Sequence, residues 1–256
     1  MSGALASQAP LLVVCTDHLH LECAFRRFEA YEIHTESVDG VVNATRGTPL
    51  PAELARSAMR TFRPQDAAHV YAHPRPELAR LTDKGLLHRV APGYYIVVPQ
   101  EQVGRHWLPG LEAAAAGVAS TIYGADHIAL MGVSAARILR AIPRALATAV
   151  VAVPRAHRPI KLADRDATVR FVQRDTDALD LERIETSLGA ALVTSPEQTV
   201  LDLARRPLLG NAEHEVPAAI THLYRRCDPE RLEQLAKPQR LVSALRRAEK
   251  WAGAQR

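Results

Sequence analysis

No run of about 18 apolar residues occurs in the 256-residue chain, so no transmembrane helix is expected. No basic stretch precedes the early Ala, Leu and Val residues, and a secretory signal is not supported. Cysteine is scarce. Cys15, Cys23 and Cys227 are an odd number with two close together, which fits a reducing compartment rather than a disulfide framework. The cytoplasm is therefore the expected location. Lysine is scarcer still for its class: only Lys84, Lys161, Lys237 and Lys250 stand among 32 basic residues, the rest being Arg. Alanine is abundant too, so GC-rich codon usage accounts for the arginine total, and only the placement of the arginines carries information. Gly85, Gly93 and Gly104 are isolated, and no Gly-rich phosphate loop is present.

What is there is an ordinary globular composition, 47% hydrophobic and 23% charged, long enough to bury a core without disulfides. The net charge of +4 permits nucleic-acid binding without arguing for it. Its distribution says more: −3 over residues 1–50, +3 over 51–110, +1 over 111–207 and +3 over 208–256. Residues 1–50 read as a leader of uncertain structure, poorly ordered in part. Leu11–Cys15 could form a strand and Leu19–Ala30 a short helix, while 39–48 looks like a linker.

Local signals become dense from 51 to 100. Pro51 can open a helix at its first position, and Leu54, Ala58 and Phe62 repeat at helical spacing as an apolar stripe. Pro64 opens a second short helix. His73-Pro74-Arg75-Pro76 predicts a tight turn, because residues before proline avoid the helical region. A third helix then runs from Pro76 to Lys84 and stops at Gly85, with Leu78 and Leu81 inward. Leu86–Val90 and Tyr94–Val98 flank the Ala91-Pro92-Gly93 turn as two strands. Three helices followed by a hairpin is the order of a winged helix-turn-helix, whose third helix enters the major groove while the hairpin touches backbone. Arg75, Arg80 and Lys84 are then the recognition-helix candidates, and Arg89 is a phosphate contact on the wing. A solvated helix face explains any one of these equally well, and the acids Glu77 and Asp83 lie on the same helix.

From 107 onward the pattern is mixed. Leu111–Val118, Tyr123–Met131 and Ser134–Ile142 read as helices, the last with Ser134 as its N-cap. Residues 147–153 and 169–172 read as strands, and 183–186 with 191–193 as a hairpin around Leu188-Gly189. Ser195-Pro196-Glu197-Gln198 combines an N-cap, an N1 proline and a capping-box Gln, launching a helix through Arg205.

Three stretches of this pattern resemble the AbiEi family of bacterial antitoxins: Leu81-Thr82-Asp83-Lys84-Gly85 running on to Tyr94-Tyr95, the Ser134-Ala135-Ala136 helix start, and Val193-Thr194-Ser195-Pro196-Glu197-Gln198 running on to Ala204. The resemblance implies a DNA-binding antitoxin whose winged helix represses its own operon. It also implies a C-terminal part that neutralises a nucleotidyltransferase-type toxin encoded alongside. Family members differ in whether they bind the toxin physically, so direct contact stays open here.

Other constellations are set aside. Cys15, His18, His20 and Cys23 offer four ligand types at a spacing that fits no common zinc finger. Gly132-Val133-Ser134-Ala135-Ala136 lacks the second glycine of a nucleophile elbow, and Asp126-His127 implies no third group for a relay. Asp164, Asp166, Asp175, Asp177, Asp180 and Glu182 crowd loops without the lysine a metal-dependent nuclease would want. Arg225, Arg226, Arg246 and Arg247 fall on expected C-terminal helices, either as an ordinary helical cap or as a basic surface for DNA backbone or a partner.

The expectation is therefore an α+β protein with no catalytic group, metal or cofactor. An N-terminal winged helix-turn-helix (51–100) is followed by a mixed α/β antitoxin domain with a helical tail (107–256). Its partners would be operator DNA, the toxin and a second copy on the DNA. The runner-up is a ligand-responsive winged-helix transcription factor with a small-molecule-binding α/β domain, and the third reading is an adaptor whose winged helix never meets DNA.

Overall fold

A computed structural model describes residues 50–253. The leader, with Cys15, His18, His20 and Cys23, lies outside the described residues. The first helix, α1, covers only Ala52–Ala55. Met59 and Arg60 then adopt left-handed backbone angles (φ 51° and 50°), and Thr61–Phe62 form strand β1. A helix continuous through Phe62 is thus corrected. A helix would put Met59 and Phe62 on one face. Here they enter different cores: Phe62 joins Leu54, Leu78, Leu81, Leu87 and Val97, while Met59 joins the core of the C-terminal body.

A single 3-10 turn, Pro64–Ala67, precedes helix α2, Pro74–Asp83. The helix starts two residues earlier than the sequence suggests, with Arg75 inside its first turn. Pro74 and Pro76 are tolerated there because first-turn N–H groups have no helical acceptor to lose. Gly85, at φ 70°, ends the helix as expected. Strands β2 (Leu87–Ala91) and β3 (Tyr94–Val97) form the wing, and β1 pairs on the far side of β3. A bulge interrupts the β2–β3 register between Arg89 and Ala91.

The body is a six-stranded mixed sheet with helices packed on it. Helix α3 (Leu111–Tyr123) is followed by β4 (Ala129–Leu130), α4 (Val133–Ile138), β5 (Thr148–Val153), β6 (Ile160–Lys161), β7 (Thr168–Gln173), β8 (Leu181–Thr186) and β9 (Gly189–Thr194). The strand order is β6-β7-β5-β4-β9-β8, with β5 parallel to β7 and β4 parallel to β9. The helix expected over Tyr123–Met131 is corrected. Gly124, at φ 89°, ends α3, and the short apolar run after it becomes a central strand buried between β5 and β9. Ser134 is not a cap either. Gly132 holds that position, and the buried Ser134 hydroxyl accepts the N–H of Val150 on β5 at 2.8 Å.

Helix α5 (Pro196–Arg205) starts as its sequence predicts, with the Ser195 hydroxyl accepting the Gln198 N–H at 3.1 Å. The Gln198 side chain does not complete a capping box. It pairs with Gln239 and Asp202 in a buried polar network to which Arg174 contributes a 2.7 Å ion pair with Asp202. Helices α6 (Val216–Tyr224), α7 (Pro229–Ala236) and α8 (Val242–Gly253) form the tail. The winged helix and the body belong to one compact unit. Met59, Val90, Ala91 and Ile96 of the former sit in the body's core.

Candidate nucleic-acid interface

The start of α2, the Pro64 turn and the wing enclose an open cleft of about 950 Å³. Arg63, Arg75 and Arg89 line it together with His73, Tyr94 and Tyr95. Arg75 is exposed in the first turn of α2, and Arg89 is exposed on β2 opposite Tyr95. Arg63 is held in the rim by Asp66, which also accepts the Arg63 N–H at 2.8 Å. Burial raises the pKa of the Tyr94 phenol, partly offset by Arg63 nearby.

The four cations singled out from the sequence are not one cluster. At 100° per residue Arg75 and Arg80 lie about 140° apart on the helix. The structure brings Arg75 together with Arg89 in the cleft, while Arg80 and Lys84 lie outside its lining. Arg80 is paired with Glu77, at 2.7 and 3.1 Å, and Lys84 is exposed at the C-cap. Sequence reasoning missed Arg63, His73, Tyr94 and Tyr95. A signal existed for the tyrosines, since residues following the wing turn must flank whatever the wing covers.

The tail cations divide as well. Arg225 and Arg226 stand in the turn just past α6 rather than on a helix, and Arg246 and Arg247 lie on α8. Arg226 donates to the Leu139 carbonyl at the end of α4, and Arg247 donates to the Ala204 carbonyl in the last turn of α5 at 2.8 Å. Both act on helix ends. Arg225 and Arg246 are exposed.

Elsewhere, a concavity of about 580 Å³ at the carboxyl ends of β5 and β7 is lined by His127, Pro154 and residues 173–177. Among the described residues, no group of three or more His, Cys, Asp and Glu could hold a metal ion. Asp164 is bonded to His88 and Arg165, Asp166 to Lys161 and Asp180 to Arg231. Burial, with Glu197 nearby, pushes the Cys227 thiol up to about 12. No described helix is long and apolar enough to cross a membrane.

Two family matches cover these two regions. Residues 50–98 match the family described as a transcriptional regulator, AbiEi antitoxin. Residues 115–251, more than half of the chain, match the AbiEi antitoxin C-terminal domain. The chain belongs to the AbiEi antitoxin family. The cleft lies in the segment of the AbiEi antitoxin that matches its transcriptional-regulator part. No curated protein matches the sequence. A solved structure, the RV2827C protein from Mycobacterium tuberculosis, shares the AbiEi antitoxin's fold at TM-score 0.52. Its identity is 18%, with 80% of this chain and 78% of the other covered.

Proposed function

We propose that this AbiEi antitoxin grips operator DNA with the winged-helix face built from 51–100 and represses its own operon. Arg75, Arg89 and Arg63 neutralise phosphates from the cleft, and Arg80 and Lys84 approach the major groove from the exposed side of α2. The convergence of Arg75 and Arg89, one from α2 and one from the wing, is the observation that supports this reading best. The body and tail, 107–256, antagonise a nucleotidyltransferase-type toxin encoded alongside, and two copies occupy the operator. No catalytic step is assigned to the chain.

The test is a shift assay on the chain's own upstream region, titrated in salt. Arg75→Ala and Arg89→Ala each lower the salt slope by about 0.9, the value for one lost phosphate contact. Unchanged affinity and slope in the double variant would sink the interface. Co-expression with the neighbouring nucleotidyltransferase tests the second half, and persistent toxicity removes it. A ligand-responsive regulator is the second reading. It draws support from the concavity at the carboxyl ends of β5 and β7, the place where open α/β sheets hold ligands. The absence of a toxin reading frame nearby would favour it.

A further inference from the structure

The wing is held from behind. Successive side chains of a strand point to opposite faces, and β2 uses both. Leu87 enters the small winged-helix core, and Arg89, two residues on, faces the cleft. His88 and Val90, on the other face, turn to the body. Val90 is fully buried in the body's core. The bulge after Arg89 takes Val90 out of the β2–β3 ladder, and its carbonyl instead accepts the N–H of Ala163 at 2.8 Å. The His88 imidazole meets Asp164 through Nε2 at 2.6 Å and lies edge-on to Trp107, with ring centroids 6.0 Å apart. The Asp164 carboxylate is 4% exposed and is held in turn by Arg165, at 2.9 and 3.0 Å. Two consecutive body residues, Ala163 and Asp164, thus clamp the two positions that flank Arg89.

We propose that Asp164 is a positioning residue for DNA binding, a body carboxylate that acts through His88 to fix where the wing presents Arg89. The inference rests on the DNA-binding reading above and adds a control point to it. The body, not the wing hairpin alone, sets the width of the cleft between Arg89 and Arg75.

The sign of one substitution separates this from simple electrostatics. Asp164→Asn removes a negative charge from a DNA-binding protein and releases Arg165, so on charge alone it strengthens binding. Positioning requires the opposite: affinity for the upstream DNA falls about 3- to 10-fold, within the range of coupled neighbouring residues. The salt slope falls with it. In an Arg89→Ala background the same substitution costs nothing further, because the contact it positions is gone. His88→Gln, whose amide can still donate to Asp164, keeps most of the affinity, and His88→Ala does not. All variants are full-length, and their thermal unfolding is recorded beside the binding. If Asp164→Asn unfolds the chain, the His88 pair carries the test by itself.

Equal affinity of His88→Gln and His88→Ala would overturn the proposal. So would unchanged or tighter binding by a folded Asp164→Asn, or full additivity with Arg89→Ala. In each of those results, weakened binding by Arg89→Ala leaves the DNA-binding reading standing. Unchanged binding by Arg89→Ala itself removes Arg89 from the interface and the positioning role with it.

Discussion

Gly117 on α3 and Thr61 on β1 touch across the seam between the body and the winged helix. A Cβ at Gly117 would overlap the Thr61 hydroxyl and stand 3.1 Å from its Cβ. Thr61 has little room to yield, since it is buried and its hydroxyl donates to the Met59 carbonyl at 2.8 Å. Glycine in mid-helix ordinarily costs about 1 kcal/mol relative to alanine, so Gly117→Ala would stabilise an open site. Here overpacking wins, at about 1–3 kcal/mol. A lower denaturation midpoint for Gly117→Ala is expected, and a higher one would show that Thr61 can move aside to admit the methyl group.

Ser134→Ala leaves the Val150 N–H without its acceptor in the middle of the sheet. An orphaned buried donor costs about 1–3 kcal/mol. Ser134→Thr keeps the oxygen and separates loss of the bond from a change of volume. Urea midpoints for the two variants decide it, and equal stability of Ser134→Ala and the parent chain would remove the role.

Acidification should weaken the clamp behind the wing. Burial alone raises the Asp164 pKa, but the hydrogen bonds from His88 and Arg165 outweigh it and hold the carboxyl at about 2, against an ordinary 3.8. A depressed carboxyl contributes stability above its unfolded pKa and loses it as pH falls through the folded one, here about 2 kcal/mol between pH 4 and 2. The stability gap between the parent and Asp164→Asn therefore narrows as pH falls below about 4. A gap that does not change with pH contradicts the ionised clamp.

In the tail, Arg247→Met keeps the aliphatic stem and removes the bond to the Ala204 carbonyl, costing about 1 kcal/mol. Arg246→Ala, on an exposed part of α8, stays within about 0.5 kcal/mol. Chemical denaturation distinguishes adjacent residues that the sequence treats alike.

Elements whose signals are local were legible in the sequence. The Gly85 stop, the wing hairpin and the Ser195-Pro196 helix start need only neighbouring residues to specify them. The β4 strand was not legible, because four apolar residues before Gly132 fit a buried helix turn as well as a central strand, and only the partners β5 and β9 decide. The break at Met59 and Arg60 was hidden for a related reason. Neither residue advertises a left-handed conformation, which is set by two cores competing for neighbouring side chains. The site followed the same rule. Arg75 and Arg89 could be named from helix and wing patterns, but their convergence, and the His88–Asp164 contact spanning 76 residues, are tertiary facts.

The sharing of Met59, Val90, Ala91 and Ile96 with the body's core bears on how such a protein can be cut or recombined. The family matches end at 98 and resume at 115, which invites a scissile boundary between them. The energetic boundary runs elsewhere, through the interior of the wing strands. A chimera joined in that gap would bring together a reader and a body whose facing side chains were never selected for each other, so inheritance of one half requires the complementary surface of the other.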